Sequence, residues 1–201
     1  MRVTFIGDSI TDAGRDRSDP ESFGDGYVSL LAPDLIAAGA TVRNLGIAGD
    51  RALDLAARWE SELMATAPEL LTVYVGVNDM WRRFDSDDPT APEDFEATLR
   101  PLLEQAHSVH GSRLILMEPY FLPVTPDQQG WLDDLDGKRA AARRLASEFE
   151  ASFVPLHEVF TAEASARPIA DLAPDGVHPT PLGSRLIADA WLAATSISDS
   201  R

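Results

Sequence analysis

The chain has 201 residues, a length that fits one compact domain. Its formal net charge is −16, from 33 acidic and 17 basic residues. Because nucleic-acid binding is driven largely by basic side chains, this charge argues against a nucleic-acid partner. The chain has no cysteine, which excludes disulfides and thiolate metal ligands.

Targeting and membrane signals are also missing from the sequence. No apolar run approaches the ~20 residues of a membrane span. The chain opens with a single basic residue and a short apolar run, unlike a signal peptide. We therefore expect a cytoplasmic protein that has no membrane partner.

Five short apolar runs predict β-strands, and helical periodicity fills the stretches between them. The predicted strands are residues 3–6, 41–45, 70–75, 113–117 and a run beginning at 153. The predicted helices are residues 27–38, 53–67, 92–109, 135–149 and 181–194. This alternation predicts an α/β fold whose parallel sheet is covered by helices on both faces. We expect one domain over residues 1–196 and a polar tail over residues 197–201.

Four segments with chemically useful side chains lie after predicted strands or before the last helix. They are Gly7-Asp8-Ser9, the segment 44–50, Gly76-Val77-Asn78-Asp79 and Asp175-Gly176-Val177-His178. In an open parallel sheet, ligands bind beyond the carboxyl ends of the strands. We therefore expect these four segments to meet at one edge of the sheet.

Ser9, His178 and Asp175 are the three residue types of an acyl-transfer triad. A serine hydroxyl needs a base within hydrogen-bond reach before it can attack a carbonyl carbon. Asp175 can accept the Nδ1 proton of His178, which leaves Nε2 to take the serine proton. Pro179 favours an extended backbone at this histidine. Taken singly, a serine such as Ser9 is more often a cap or turn residue, and Asp175 has the same alternative explanation.

An acyl-transfer site also needs hydrogen-bond donors for the oxyanion. The backbone N–H groups of Ser9 and Gly49 and the side-chain amide of Asn78 are the candidates. The alternative is that Gly49 is a loop glycine and Asn78 a turn residue. Trp81 and Phe84 follow Asn78 and are candidates for the wall of an acyl pocket, with core packing as the alternative.

Four aspartates at the same edge allow a different interpretation, a magnesium site for phosphoryl transfer. They are Asp8, Asp12, Asp50 and Asp79. The Asp-x-Asp spacing common in such enzymes is missing, because Ile10 stands two residues after Asp8. We therefore expect these acids to cap helices and brace loops, and we expect neither a metal nor a cofactor.

Together the four segments resemble the blocks of the GDSL, or SGNH, hydrolase family. The matching residues are Gly-Asp-Ser, a glycine, Gly-x-Asn-Asp and Asp-x-x-His, in that order. The resemblance implies a flavodoxin-like three-layer α/β/α sandwich whose five-stranded parallel sheet has the order 2-1-3-4-5. It also implies Ser9 as nucleophile, His178 as base, Asp175 as the residue that orients it, and Ser9, Gly49 and Asn78 as oxyanion donors.

A finer similarity is to the bacterial branch of this family that includes acetyl xylan esterases. It is carried by residues 7–15, 57–60, 78–82 and 116–120. The chain departs from that branch at Asp50, where asparagine is frequent, and at Pro174, where tryptophan is common.

The resemblance implies a serine esterase that hydrolyses short-chain acyl esters, acetyl esters of carbohydrates above all, through an acyl-enzyme. A thioesterase or lysophospholipase with the same triad is the first alternative. A non-catalytic sugar-binding flavodoxin-like domain is the second. The expected partner is a small-molecule ester, and homo-oligomers are common in this branch.

Overall fold

The computed structural model describes residues 1–196, so the predicted tail at 197–201 lies outside the described residues. Five parallel strands form one sheet in the order β2-β1-β3-β4-β5. They are β1 (Arg2–Gly7), β2 (Thr41–Gly46), β3 (Leu70–Tyr74), β4 (Arg113–Met117) and β5 (Ser152–Val154). The predicted strand order is confirmed.

Eight α-helices lie within the described part of the chain. They are α1 (Ser9–Asp12), α2 (Tyr27–Ala37), α3 (Ala52–Arg58), α4 (Val77–Asp85), α5 (Pro92–Glu104), α6 (Trp131–Glu148), α7 (Leu156–Ala164) and α8 (Pro181–Ser196). Wider turns of π-helix extend α3 to Leu63 and α5 to Val109. Within residues 1–196, no helix is long and apolar enough to cross a membrane.

Three helices, α1, α4 and α7, were not predicted from the sequence. The apolar residues of α4 recur at helical spacing, at Val77, Met80, Trp81 and Phe84. The helix begins directly after Gly76, however, and a glycine at that position is typical of a turn. The first residues of α4 therefore look like part of a strand-to-helix loop. Tertiary packing of Val77 and Met80 in the core stabilises this short helix.

Successive residues of the strands contribute to two separate apolar clusters. Phe5 of β1 packs in the cluster that includes Tyr27 of α2 and Trp191 of α8, whereas Ile6 packs in the cluster that includes Leu55 of α3. Side chains alternate between the two faces of a strand, so the sheet lies between two helical layers. The predicted three-layer α/β/α arrangement is confirmed.

Strands β1, β2 and β3 end at the same level of the sheet. Gly7 is paired in register with Gly46 on one side and Tyr74 on the other. A Cβ at Gly46 would lie 2.2 Å from the backbone nitrogen of Asp12, so glycine is needed for α1 to pack against β2. The loops after these three strands therefore converge at one edge, which carries the predicted site.

Candidate active site

Ser9 is the first residue of α1, directly beyond the end of the central strand β1. The Asp8 side chain caps this helix, because its Oδ1 accepts the backbone N–H of Ile10 at 3.0 Å. The backbone carbonyl of Asp8 accepts the N–H of Asp12 at 2.9 Å. This capped turn holds the hydroxyl of Ser9 at the carboxyl edge of the sheet.

Ser9, His178 and Asp175 form a continuous hydrogen-bonded series, although 169 positions separate the first two. Ser9 Oγ lies 2.8 Å from His178 Nε2. His178 Nδ1 lies 2.6 Å from Asp175 Oδ2. The side chains of His178 and Asp175 are 48% and 46% exposed, so a solute reaches them directly.

The loop before α8 is held from two directions, which fixes the histidine. Tyr120 Oη donates to the carbonyl of Val177 at 2.5 Å, and the N–H of Leu122 donates to the carbonyl of Gly176 at 3.0 Å. Asp175 Oδ1 also accepts the N–H groups of Val177 and His178 at 2.9 and 2.8 Å. Both ends of the imidazole are thereby oriented before any substrate binds.

The charge on Asp175 decides which ring nitrogen of His178 carries the hydrogen. Burial would raise the pKa of Asp175, but hydrogen bonds from the His178 ring and from the N–H groups of Val177 and His178 outweigh it and lower that pKa. The carboxylate is therefore ionised and can only accept hydrogen bonds. Nδ1 of the neutral ring then carries the hydrogen, and Nε2 is left to accept from the Ser9 hydroxyl.

The loop between β2 and α3 is anchored by the loops after the other two strands. Asp12 Oδ2 accepts the N–H of Ala48 at 2.9 Å. The Asp79 carboxylate accepts the N–H of Ala52 at 3.1 Å. Two aspartates thus brace the loop on either side of Gly49, as the sequence predicts for acids at this edge.

Gly49 and Asn78 meet at this anchored loop. Gly49 has a φ of +90°, a conformation that favours glycine, and a Cβ there would meet nothing within 4 Å. Asn78 is buried, and its Nδ2 donates to the carbonyl of Asp50 at 3.1 Å. An amide NH₂ carries two hydrogens, so the second one stays free for an oxyanion. The role of both residues as oxyanion donors stays a prediction.

Arg58 supports the same loop and was not predicted as a site residue. Its Nε donates to Asp50 Oδ2 at 2.8 Å, and its Nη2 donates to the carbonyl of Gly7 at 3.4 Å. Burial raises the pKa of Asp50, and the Arg58 guanidinium opposes that rise. The ion pair ties the Asp50 side chain to α3 beside the backbone carbonyl to which Asn78 donates.

An aromatic wall stands beside His178 and includes both predicted pocket residues. The Trp81 ring centroid is 6.1 Å from that of His178 and 6.5 Å from that of Trp131. Phe84 stacks on Trp131 at 4.7 Å, and Phe121 stacks on it at 5.5 Å. Phe84 therefore joins the wall through Trp131, a residue that sequence reasoning missed because it lies 50 positions beyond Trp81.

A recess of about 240 Å³ opens on the other side of the Ser9–His178 pair. Ser9 and His178 form one of its sides. The rest of its lining consists of Asp25, Gly26 and Ser184 together with the apolar residues Ile10, Ala13, Pro179 and Pro181. The recess therefore mixes polar and apolar groups, whereas the other side of the site is aromatic.

Asp8 is the most strongly perturbed acid at this edge. It is completely buried, and within residues 1–196 its Oδ2 has no hydrogen-bond partner. Burial raises its pKa to about 7, and the nearby carboxylates of Asp79 and Asp50 add to the rise. Burial likewise raises the pKa of Asp79 to about 6.

No group of three or more metal-binding side chains is found in the described part of the chain.

We expect Asp8→Asn to remove a pH dependence from the folding stability. The folded chain keeps a proton on Asp8 up to about pH 7, whereas the unfolded chain releases it near the ordinary pKa of 3.8. The stabilisation from this proton is complete below pH 3.8 and is lost as the pH rises to 7. The Asn variant should therefore gain up to about 1.4 kcal/mol per pH unit relative to the parent across that window.

Urea unfolding at pH 4.5, 6.0 and 7.5 measures this difference. Asp34→Asn, which changes an exposed aspartate on α2, is the control and should show no such trend. A difference between Asp8→Asn and the parent that stays constant with pH would contradict the prediction.

Comparison with known proteins identifies the family. The model of the GDSL-like lipase/acylhydrolase family matches residues 5–186. The chain is 34% identical over 204 residues to an acetylxylan esterase from Geobacillus stearothermophilus, covering 95% of this chain and 92% of that protein.

Solved structures agree with this comparison. A protein from Parabacteroides merdae described as a GDSL-like lipase matches with a TM-score of 0.91 at 34% identity, over 97% of this chain and 95% of that one. The Geobacillus acetylxylan esterase matches with a TM-score of 0.87 at 32% identity, over 96% and 93%. Two further structures of that esterase are of catalytic mutants, one with a serine and one with an aspartate changed to alanine.

These matches span nearly the whole chain and agree with the motif segments and the strand order. The chain therefore belongs to the GDSL-like lipase/acylhydrolase family and is a carboxylic ester hydrolase of the GDSL type.

Proposed function

We propose that this esterase hydrolyses acetyl and other short acyl esters of carbohydrates through an acyl-enzyme on Ser9. The observation that carries the proposal is the unbroken hydrogen-bonded series from Ser9 Oγ through His178 to Asp175. The catalytic serine and aspartate mutants of the Geobacillus relative support the same roles for Ser9 and Asp175.

In the first half-reaction, Ser9 Oγ attacks the ester carbonyl carbon while His178 Nε2 takes the hydroxyl proton. The charge that develops on the carbonyl oxygen is stabilised by the N–H groups of Ser9 and Gly49 and by the free N–H of Asn78. The ester bond then breaks, and His178 gives its proton to the departing alcohol oxygen. Asp175 stays ionised and stabilises the imidazolium.

In the second half-reaction, a water molecule attacks the acyl-enzyme. His178 takes one proton from that water and returns it to Ser9 Oγ as the carboxylic acid leaves. The same oxyanion donors stabilise the second tetrahedral intermediate. No residue beyond those at the carboxyl edge is required for either step.

The substrate side of the proposal rests on the relative and on the size of the site. The Geobacillus relative is an acetylxylan esterase, so an acetylated sugar is the first substrate to consider. The recess of about 240 Å³ is smaller than the about 300–1,000 Å³ typical of pockets for drug-sized ligands. Trp81 closes the opposite side of His178, which supports a short acyl group there.

A thioesterase or lysophospholipase would use the same residues and differ in the acyl chain and leaving group. We expect hydrolysis rates to fall steadily from acetyl to octanoyl to palmitoyl esters of one alcohol. Acetylated xylose measured beside nitrophenyl acetate tests the carbohydrate part of the proposal. A preference for the palmitoyl ester would refute the short-chain assignment. A cytoplasmic location and a homo-oligomeric state stay predictions from the sequence.

A further inference from the structure

The recess between α2 and α8 is lined by two polar side chains, Asp25 and Ser184. The Asp25 carboxylate is exposed and makes no hydrogen bond or ion pair with any described residue. Ser184 is 4% exposed. A hydrogen-bond acceptor and a hydroxyl therefore lie in the wall of the recess.

The position of the recess relative to His178 indicates which half of an ester it receives. During the reaction, His178 Nε2 protonates the alcohol oxygen, so the alcohol must lie on a side of the site that His178 borders. The recess is bordered by Ser9 and His178, whereas Gly49, Asn78 and Trp81 are not part of its lining. The carbonyl oxygen thus points to the oxyanion donors, and the acyl group lies against Trp81.

We propose that this recess binds the alcohol half of the ester and that Asp25 selects that alcohol by charge. Neutral or cationic polyhydroxylated alcohols are accepted, and alcohols that carry a carboxylate or phosphate are disfavoured. The inference rests on the proposed esterase function and adds the alcohol class to it.

The charge argument follows from what surrounds Asp25. No cationic side chain within residues 1–196 pairs with the Asp25 carboxylate. Its negative charge is therefore not neutralised by the protein and acts on a ligand in the recess. Two like charges a few ångströms apart repel each other even in water, and more strongly where solvent is partly excluded. The formal net charge of −16 adds a repulsive field for any anionic substrate. A neutral sugar meets no such penalty and can donate hydroxyl hydrogens to Asp25.

The test compares acetyl esters of three sugars of similar size: xylose, glucosamine and glucuronic acid. The parent enzyme should have its lowest kcat/KM on the anionic glucuronate ester. Asp25→Asn should raise kcat/KM on that ester about fivefold and lower it on the cationic glucosamine ester by a similar factor. These changes should shrink in high salt, because screening weakens the interaction. Asp34→Asn, the same charge change on the outer face of α2, should alter neither ratio.

A second variant tests the recess without changing charge. Ser184→Ala should raise KM for acetylated xylose about threefold to tenfold, as expected for one lost hydrogen bond. Its effect on the KM for nitrophenyl acetate should be smaller, because that leaving group has no hydroxyl that Ser184 could bind.

The outcomes separate the two proposals. Hydrolysis that depends on Ser9 but keeps the same charge preference in Asp25→Asn would overturn the alcohol site and leave the esterase function intact. Hydrolysis that survives Ser9→Ala would overturn the proposed function instead.

Discussion

Ser9→Ala is expected to lower kcat for ester hydrolysis about 10⁶-fold. The alanine side chain has no oxygen to attack the carbonyl carbon, so the acyl-enzyme route is closed. The proposed oxyanion donors, Gly49 and Asn78, remain in place. They leave a residual acceleration over the reaction in water, about 10³–10⁴-fold in comparable sites.

The measurement combines turnover of nitrophenyl acetate with labelling by a fluorophosphonate probe. The parent should take up one probe per chain at neutral pH, and mass spectrometry should place it on Ser9. Ser108→Ala, which changes an exposed serine far along the chain, is the matched control and should label and turn over as the parent does.

Absence of labelling in the parent would favour the alternative of a sugar-binding domain without turnover. Labelling that persists in Ser9→Ala would assign the nucleophile to another residue. Either result would also remove the basis for assigning His178 as the general base.

The segments that carry Ser9 and Asn78 could be located from the sequence because each follows a recognisable strand end. The apolar run before Gly7 and the run before Gly76 indicate buried strands, and parallel strands bring their carboxyl ends to one edge. Ser9 and Asn78 are therefore expected near each other, although 69 positions separate them. The family resemblance then adds the pairing with His178.

The supporting residues could not be predicted, because nothing local identifies their partners. Arg58 pairs with Asp50, eight positions away, as well as with Glu62, four positions away, whereas Asp54 at that same spacing pairs with Arg51. Trp131 stacks on Phe84 from the start of α6, and that contact depends on how two helices pack. Helix α4 was missed because its first residues also match a turn. The sequence thus indicated Ser9, His178 and Asp175, whose roles stay predictions, while the supporting contacts of Arg58 and Trp131 required the structure.

Asn78→Ala is expected to lower kcat about 10²–10³-fold, the usual cost of one oxyanion donor. One amide hydrogen of Asn78 is donated to the carbonyl of Asp50, so only the other can be donated to the substrate oxygen. The hydrogen bond from Asn78 to the substrate oxygen strengthens as that oxygen becomes negative. The loss should therefore fall on kcat, with KM changed by no more than a few-fold.

A loosened loop could also slow the reaction, since the substitution leaves the Asp50 carbonyl without its donor. Asn44→Ala separates the two causes. Asn44 is a buried asparagine at the same edge that donates to the carbonyls of Thr11 and Phe23, yet it offers no hydrogen to the reacting oxygen. It should lower the free energy of unfolding by about 1–3 kcal/mol and change kcat less than Asn78→Ala does.

The comparison is made below the unfolding transition of both variants, with urea unfolding run in parallel. If Asn78→Ala lowers kcat far more than Asn44→Ala while costing no more stability, the amide acts on the substrate oxygen itself. An unchanged kcat in Asn78→Ala would instead leave the N–H groups of Ser9 and Gly49 as the whole oxyanion hole. The anchoring of the loop by Asp12 and Asp79 would then be the feature that keeps Gly49 in place.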